Sequence, residues 1–120
     1  MKKFLLALFL IAALTLALSP AKPAWTEDAP RRIEVTAKRF SFDPGEITLK
    51  KGQPVVLVLK SADVGHGLRL RDLGVDVSVK AGATTEAHFT PQKTGDFVAK
   101  CSVFCGSGHG TMTLKVHVVE

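Results

Sequence analysis

Residues 54–80 read Pro-Val-Val-Leu-Val-Leu-Lys-Ser-Ala-Asp-Val-Gly-His-Gly-Leu-Arg-Leu-Arg-Asp-Leu-Gly-Val-Asp-Val-Ser-Val-Lys. The first seven are apolar almost without a break, which suits a short strand covered on both faces. Further on, Leu68 and Leu70 alternate with Arg69 and Arg71. After Asp72-Leu73-Gly74, Val75, Val77 and Val79 alternate with Asp76, Ser78 and Lys80. A period of two is the mark of a half-buried strand, and no apolar set here repeats at helical spacing. Between the strands lies a polar loop, residues 61–67, in which His66 stands between Gly65 and Gly67. Nothing in the local pattern asks for an imidazole there.

The same rhythm extends in both directions. Upstream, Ile33, Val35 and Ala37 alternate with polar neighbours, and Phe40 and Phe42 resume the alternation out of phase, as one strand with a bulge would. Asp43-Pro44-Gly45 predicts a tight turn, with proline fixing one backbone angle and glycine supplying an unusual one. Ile47 and Leu49 form a short strand before the turn at residues 50–53. Downstream, residues 83–90 form a strand with Ala87 and Phe89 inward. Phe97 and Ala99 lead to Cys101, and Met112, Leu114, Val116 and Val118 share one face of the last strand. Seven or eight short strands separated by turn signals predict an all-β fold, a Greek-key β-sandwich. Phe40, Phe42, Phe89 and Phe97 are expected in its core. His88 and His117 alternate with inward neighbours and are expected at the surface.

The chain has 120 residues, room for one domain with a core of its own. Met1-Lys2-Lys3 followed by the apolar run 4–18 has the basic and apolar regions of an export signal, predicting an N-terminal hydrophobic helix. Two outcomes follow: residues 1–21 are a signal peptide removed after Ala21, or they stay as a single membrane anchor. Either one puts the remainder in the periplasm or on the extracytoplasmic face of the membrane. Residues 22–30, rich in proline and mixed charge, read as a linker, and 31–120 as the folded domain. With 16 basic and 11 acidic residues the formal charge is +5, spread too evenly to argue for nucleic acid.

Both cysteines fall in residues 101–112, Cys-Ser-Val-Phe-Cys-Gly-Ser-Gly-His-Gly-Thr-Met, together with His109 and Met112. In an exported chain the first reading of two cysteines is a disulfide, and a zinc loop is a second. Against both stands the full donor set. Thiolate, imidazole and thioether together favour a soft cation, and the thioether favours copper. If His66 reaches the same end of the sandwich, the candidate ligands are His66, Cys101, Cys105, His109 and Met112. Two thiolates repel each other at one copper, whereas two coppers bridged by both sulfurs can each take one histidine and one weaker donor.

At Cys101, Cys105-Gly106, His109 and Met112 the sequence resembles the Cys-x-x-x-Cys-Gly-x-x-His-x-x-Met loop of the binuclear copper domain in cytochrome c oxidase subunit II, shared by nitrous oxide reductase. Asp63-x-x-His66 is similar to that family's Asp-x-x-His segment, and Phe42-x-Pro44 with Ile47 to its early strand. The resemblance implies a cupredoxin fold and a two-copper centre. It also implies that the backbone carbonyl of Val103 binds the copper held by His109, and that Met112 weakly binds the copper beside His66. The family often has a carboxylate at the position of Val103. It usually offers aromatic groups and an acidic surface to a cationic cytochrome c, whereas this chain has no tyrosine and its one tryptophan, Trp25, lies in the linker.

The expected function is therefore electron transfer by an exported copper domain, with a c-type cytochrome as donor and an oxidase catalytic subunit as the candidate acceptor. A periplasmic copper storage, sensing or delivery module is the alternative, since the same ligands serve both. No general base or nucleophile stands out, so any catalysis belongs to a larger complex. Arg69 and Arg71 read as a solvated cationic face, or as a docking face for an acidic redox partner. Phe104 either packs beneath the site or faces a partner.

Overall fold

The computed structural model describes residues 29–120; the hydrophobic helix expected over 1–21 lies outside the described residues. Among the described residues, nine strands form two sheets packed face to face. They are β1 (Arg31–Lys38), β2 (Ser41–Asp43), β3 (Glu46–Lys50), β4 (Val55–Ser61), β5 (His66–Leu70), β6 (Val75–Val79), β7 (Thr84–Phe89), β8 (Gly95–Lys100) and β9 (Thr113–Val119). One sheet has the order β2-β1-β4-β7, the other β3-β9-β8-β5-β6. β1 runs parallel to β4, with Val35 beside Leu59, and β3 parallel to β9, with Leu49 beside Val118. The remaining pairs are antiparallel.

The alternation explains the packing. Val35, Leu57 and Leu59 from the first sheet meet Leu49, Leu68 and Leu114 from the second in one buried cluster. Each such side chain contributes roughly 1.5–3 kcal/mol by leaving water. Val58 is buried as well, on the opposite face of β4, in keeping with that strand's unbroken apolar run. The last strand buries Leu114, Val116 and Val118, and Met112 precedes it on the same inward register.

Four details depart from the sequence expectations. The run read as one bulged strand divides at Arg39 and Phe40 into β1 and β2, which pair antiparallel, and this supplies the ninth strand. Gly45 is not among the glycines with positive φ, so that turn does not use the unusual backbone angle expected of it. His66, read as a loop residue, is the first residue of β5. Phe40 is not core: it is 36% exposed, and its ring lies over the connection between β8 and β9. Phe42 is buried, while Phe89 and Phe97 are partly buried against the cluster.

Candidate metal centre

Three connections meet at one end of the sandwich: the β1–β2 turn, the β4–β5 crossing between sheets, and residues 101–112 between β8 and β9. Hydrogen bonds join them. The Arg39 backbone N–H donates to Asp63 Oδ2 (2.8 Å), and Arg39 Nε donates to the Cys105 carbonyl (3.0 Å). The long connection is closed at its base by Cys101 N–H to the Met112 carbonyl (3.1 Å). Inside it, a 3-10 turn at His109–Thr111 forms, with Met112 N–H on the His109 carbonyl (3.3 Å). Gly106, at φ 137°, allows the reversal that follows Cys105, and it also lets Phe40 approach. A Cβ built on Gly106 would lie 2.9 Å from the Phe40 ring, and one on Gly108 2.4 Å.

Within this frame the donor atoms converge. His66 Nδ1 is 3.9 Å from Cys101 Sγ, the two sulfurs are 3.9 Å apart, and Cys105 Sγ is 3.7 Å from His109 Nδ1 and 3.8 Å from Met112 Sδ. The Cys101 thiol also donates to the Val103 carbonyl (3.2 Å). His66, Cys101 and Cys105 have ligand atoms within 4.8 Å of one another. A disulfide would need about 2.05 Å, so both cysteines are free. Around a first-row ion with bonds of about 2.0–2.3 Å, the edges of a donor tetrahedron measure about 3.3–3.8 Å. The observed separations match that scale, and the donor chemistry of two thiols, two imidazoles and a thioether suits copper.

The imidazole of His66 is held in one orientation. Its Nε2 lies 2.6 Å from Asp63 Oδ1, so the ring donates there and turns the lone pair of Nδ1 toward Cys101. Asp63 in turn accepts from the backbone of Arg39 and of Val64. The Arg39 N–H first, and His66 next, hold its carboxyl at about 2, against the usual 3.8. Burial, reinforced by Cys101, pushes the Cys105 thiol up. A metal binding there therefore displaces a proton from Cys105, and its affinity rises with pH.

All six residues singled out in the sequence meet here: His66, Cys101, Val103, Cys105, His109 and Met112. Phe104 does not pack beneath them. It is 78% exposed, and its ring centroid lies 5.7 Å from that of His109. His88 is exposed as expected, whereas His117 is half-buried between Asp96 and Glu46.

Three residues that position the cluster escaped the sequence. Arg39 and Phe40 carry no local signal. Gly67 left one, as half of the glycine pair around His66. A Cβ on it would sit 2.1 Å from Ser102 Oγ and 3.2 Å from the Val103 nitrogen, so glycine is what lets the 101–112 segment lie against β5.

Comparison with known proteins agrees with this fold. A cupredoxin-like domain profile matches residues 6–114. Cytochrome c oxidase subunit 2 of Thermus thermophilus is 29% identical over 88 residues, covering 73% of this chain and 65% of the relative. Quinol oxidase subunit 2 of Sulfolobus acidocaldarius is 30% identical over 89 residues, covering 72% and 53%. The crystal structure of the periplasmic domain of cytochrome oxidase subunit II from Bradyrhizobium japonicum superposes with a TM-score of 0.67 at 25% identity, covering 74% of this chain and 83% of that one. The chain thus spans less than two thirds of the length of these two curated relatives.

Proposed function

The chain belongs to the cupredoxin-like family, and on that premise we propose that it holds a pair of copper ions and carries single electrons outside the cytoplasm. The observation that supports this most is the pair of buried, unbonded thiols 3.9 Å apart, each with an imidazole Nδ1 within 3.9 Å. Cys101 and Cys105 would bridge the two ions. His66 and Met112 would complete one side, His109 and the Val103 carbonyl the other. Held by these residues, a copper pair would supply one-electron chemistry. Asp63 keeps His66 aimed, and Arg39 and Phe40 hold the ligand segment against the first sheet.

Burial favours transfer over delivery. His66 is 0% exposed, Met112 1%, Cys105 4% and Cys101 5%, so four of the five side-chain donors are closed to an incoming chelating partner. A module that hands over its metal needs donors a second protein can reach. We place residues 31–120 as the copper domain, 22–30 as its linker, and 1–21 as the segment that directs export or anchors the chain. The likeness to oxidase subunits points to a haem-copper oxidase as the acceptor. Loading the full chain with copper tests the reading. Electron paramagnetic resonance should show hyperfine splitting from two equivalent coppers and lose it in Cys101→Ser. Splitting from a single copper, or a spectrum indifferent to that substitution, would rule the pair out.

A further inference from the structure

The outer face of the second sheet carries a feature that the metal centre does not use. Along β8, Asp96, Val98 and Lys100 point outward, and Val98 is 52% exposed in mid-sheet. Its cross-strand neighbour on β9 is Lys115, and Lys100 stands opposite Arg69 on β5. Beside Val98 opens a cleft of about 360 Å3 lined by Arg69, Arg71, Asp72, Lys100 and Cys101. Arg69 is paired with Asp76 at 3.2 Å. Among the described residues no carboxylate pairs with Arg71, Lys100 or Lys115. Of the acidic groups on this sheet, Asp76 is taken up by Arg69, Asp72 lines the same cleft, and Glu46 and Asp96 enclose His117. Arg71, Lys100 and Lys115 thus outnumber Asp72, the one carboxylate here outside an ion pair, and leave this end net positive beside residue Cys101.

We propose that this end is the docking face for an acidic redox protein, whose carboxylates meet Arg71, Lys100 and Lys115 around an apolar contact at Val98. The inference rests on the electron-transfer reading and names the chemistry of its partner. An exposed apolar centre inside a charged rim is the anatomy of a protein interface, and small interfaces of this kind suit brief redox encounters. Unpaired cations add a long-range pull that speeds encounter and orients it, an effect screened within about 8 Å at physiological ionic strength. Position adds the functional sense. Cys101, a proposed bridging donor, is among the residues lining the cleft and directly follows Lys100 at the end of β8.

Two c-type cytochromes of opposite net charge, one acidic and one basic, serve as probes against the detergent-solubilised full chain. Binding is followed by amide chemical shifts of the metal-free protein, so that the readout does not depend on copper. The acidic cytochrome should shift Val98, Lys100 and Arg71, and its affinity should fall at least about tenfold between roughly 10 and 200 mM salt. Lys100→Glu and Arg71→Glu, both at exposed positions, should each weaken binding about tenfold or more. Lys93→Glu, which makes the same change of net charge in the β7–β8 turn, should leave it within about twofold. Equal binding of the basic cytochrome, shifts centred on Phe104, equal effects of all three substitutions, or shifts produced only by vesicles of anionic phospholipid would each overturn the proposal. A two-copper resonance signal without acidic-cytochrome binding sinks the docking face alone; binding without that signal sinks the electron-transfer reading and leaves the face.

Discussion

Asp63 touches neither sulfur, yet it decides which nitrogen of His66 faces them. Its Oδ1 takes the Nε2 proton at 2.6 Å, leaving Nδ1 as the lone-pair donor toward Cys101. Removing such a partner costs about 10–100-fold in metal affinity in comparable sites. Asp63→Ala should therefore weaken copper binding by about that factor, measured by competition with a chelator, while nitrogen NMR of the metal-free protein shows His66 sampling both tautomers. Unchanged affinity with an unchanged tautomer would mean that the fold alone orients the ring. The candidate donors were legible in the sequence because four of them fall within twelve residues, and their types narrow the proposed metal. Their supports were not. Arg39 lies 24 residues from Asp63 and 66 from Cys105, and an ordinary arginine beside a phenylalanine gives no sign of either contact.

Among the elements, β5 and the 101–112 segment are in contact because Gly67 has no side chain. Gly67→Ala would press a methyl group onto Ser102 Oγ and the Val103 backbone. Overpacking of this kind costs about 1–3 kcal/mol. Denaturant unfolding should show a loss in that range, and Ser102→Ala in the same chain should restore part of it by clearing the nearest atom. No recovery would place the conflict at the Val103 backbone instead. A second element-scale test concerns β3, β9 and β8, joined by His117 between Glu46 and Asp96. The Asp96 carboxylate first, then that of Glu46, raises the pKa of His117 above 6.5. Because the folded value is raised, the tie is at full strength below about pH 6.5 and is lost as pH climbs through the raised value. Proton NMR should find that midpoint above 6.5, and Asp96→Asn should move it down. A midpoint insensitive to Asp96→Asn and to Glu46→Gln alike would remove the tie.

For the whole molecule, alternation was enough to reveal a sandwich, since Val75, Val77 and Val79 or Leu114, Val116 and Val118 admit no other regular structure. The break at Arg39 and Phe40 was not visible, because a phase shift in the pattern suits a bulge and a turn equally well. What periodicity could not supply is the meeting of sheets at the metal end. The side-chain donors hang from β5, β8 and β9 of one sheet, while Arg39 and Phe40 come from the β1–β2 turn of the other. Metal binding is thereby linked to the integrity of both sheets. A ligand that binds only the folded state stabilises it by about 2.7 kcal/mol when its free concentration is 100 times its dissociation constant. Copper loading should accordingly raise the unfolding midpoint, and a chelator should return it. Hydrogen exchange locates the gain: amides of residues 101–112, of β5 and of Arg39 should slow on loading, because they surround the cluster. Those of residues 91–94, in the turn leading into β8 from its other end, should exchange unchanged while the native state persists. Slowing confined to 101–112, with Arg39 unaffected, would show that the metal orders its own loop without engaging the first sheet.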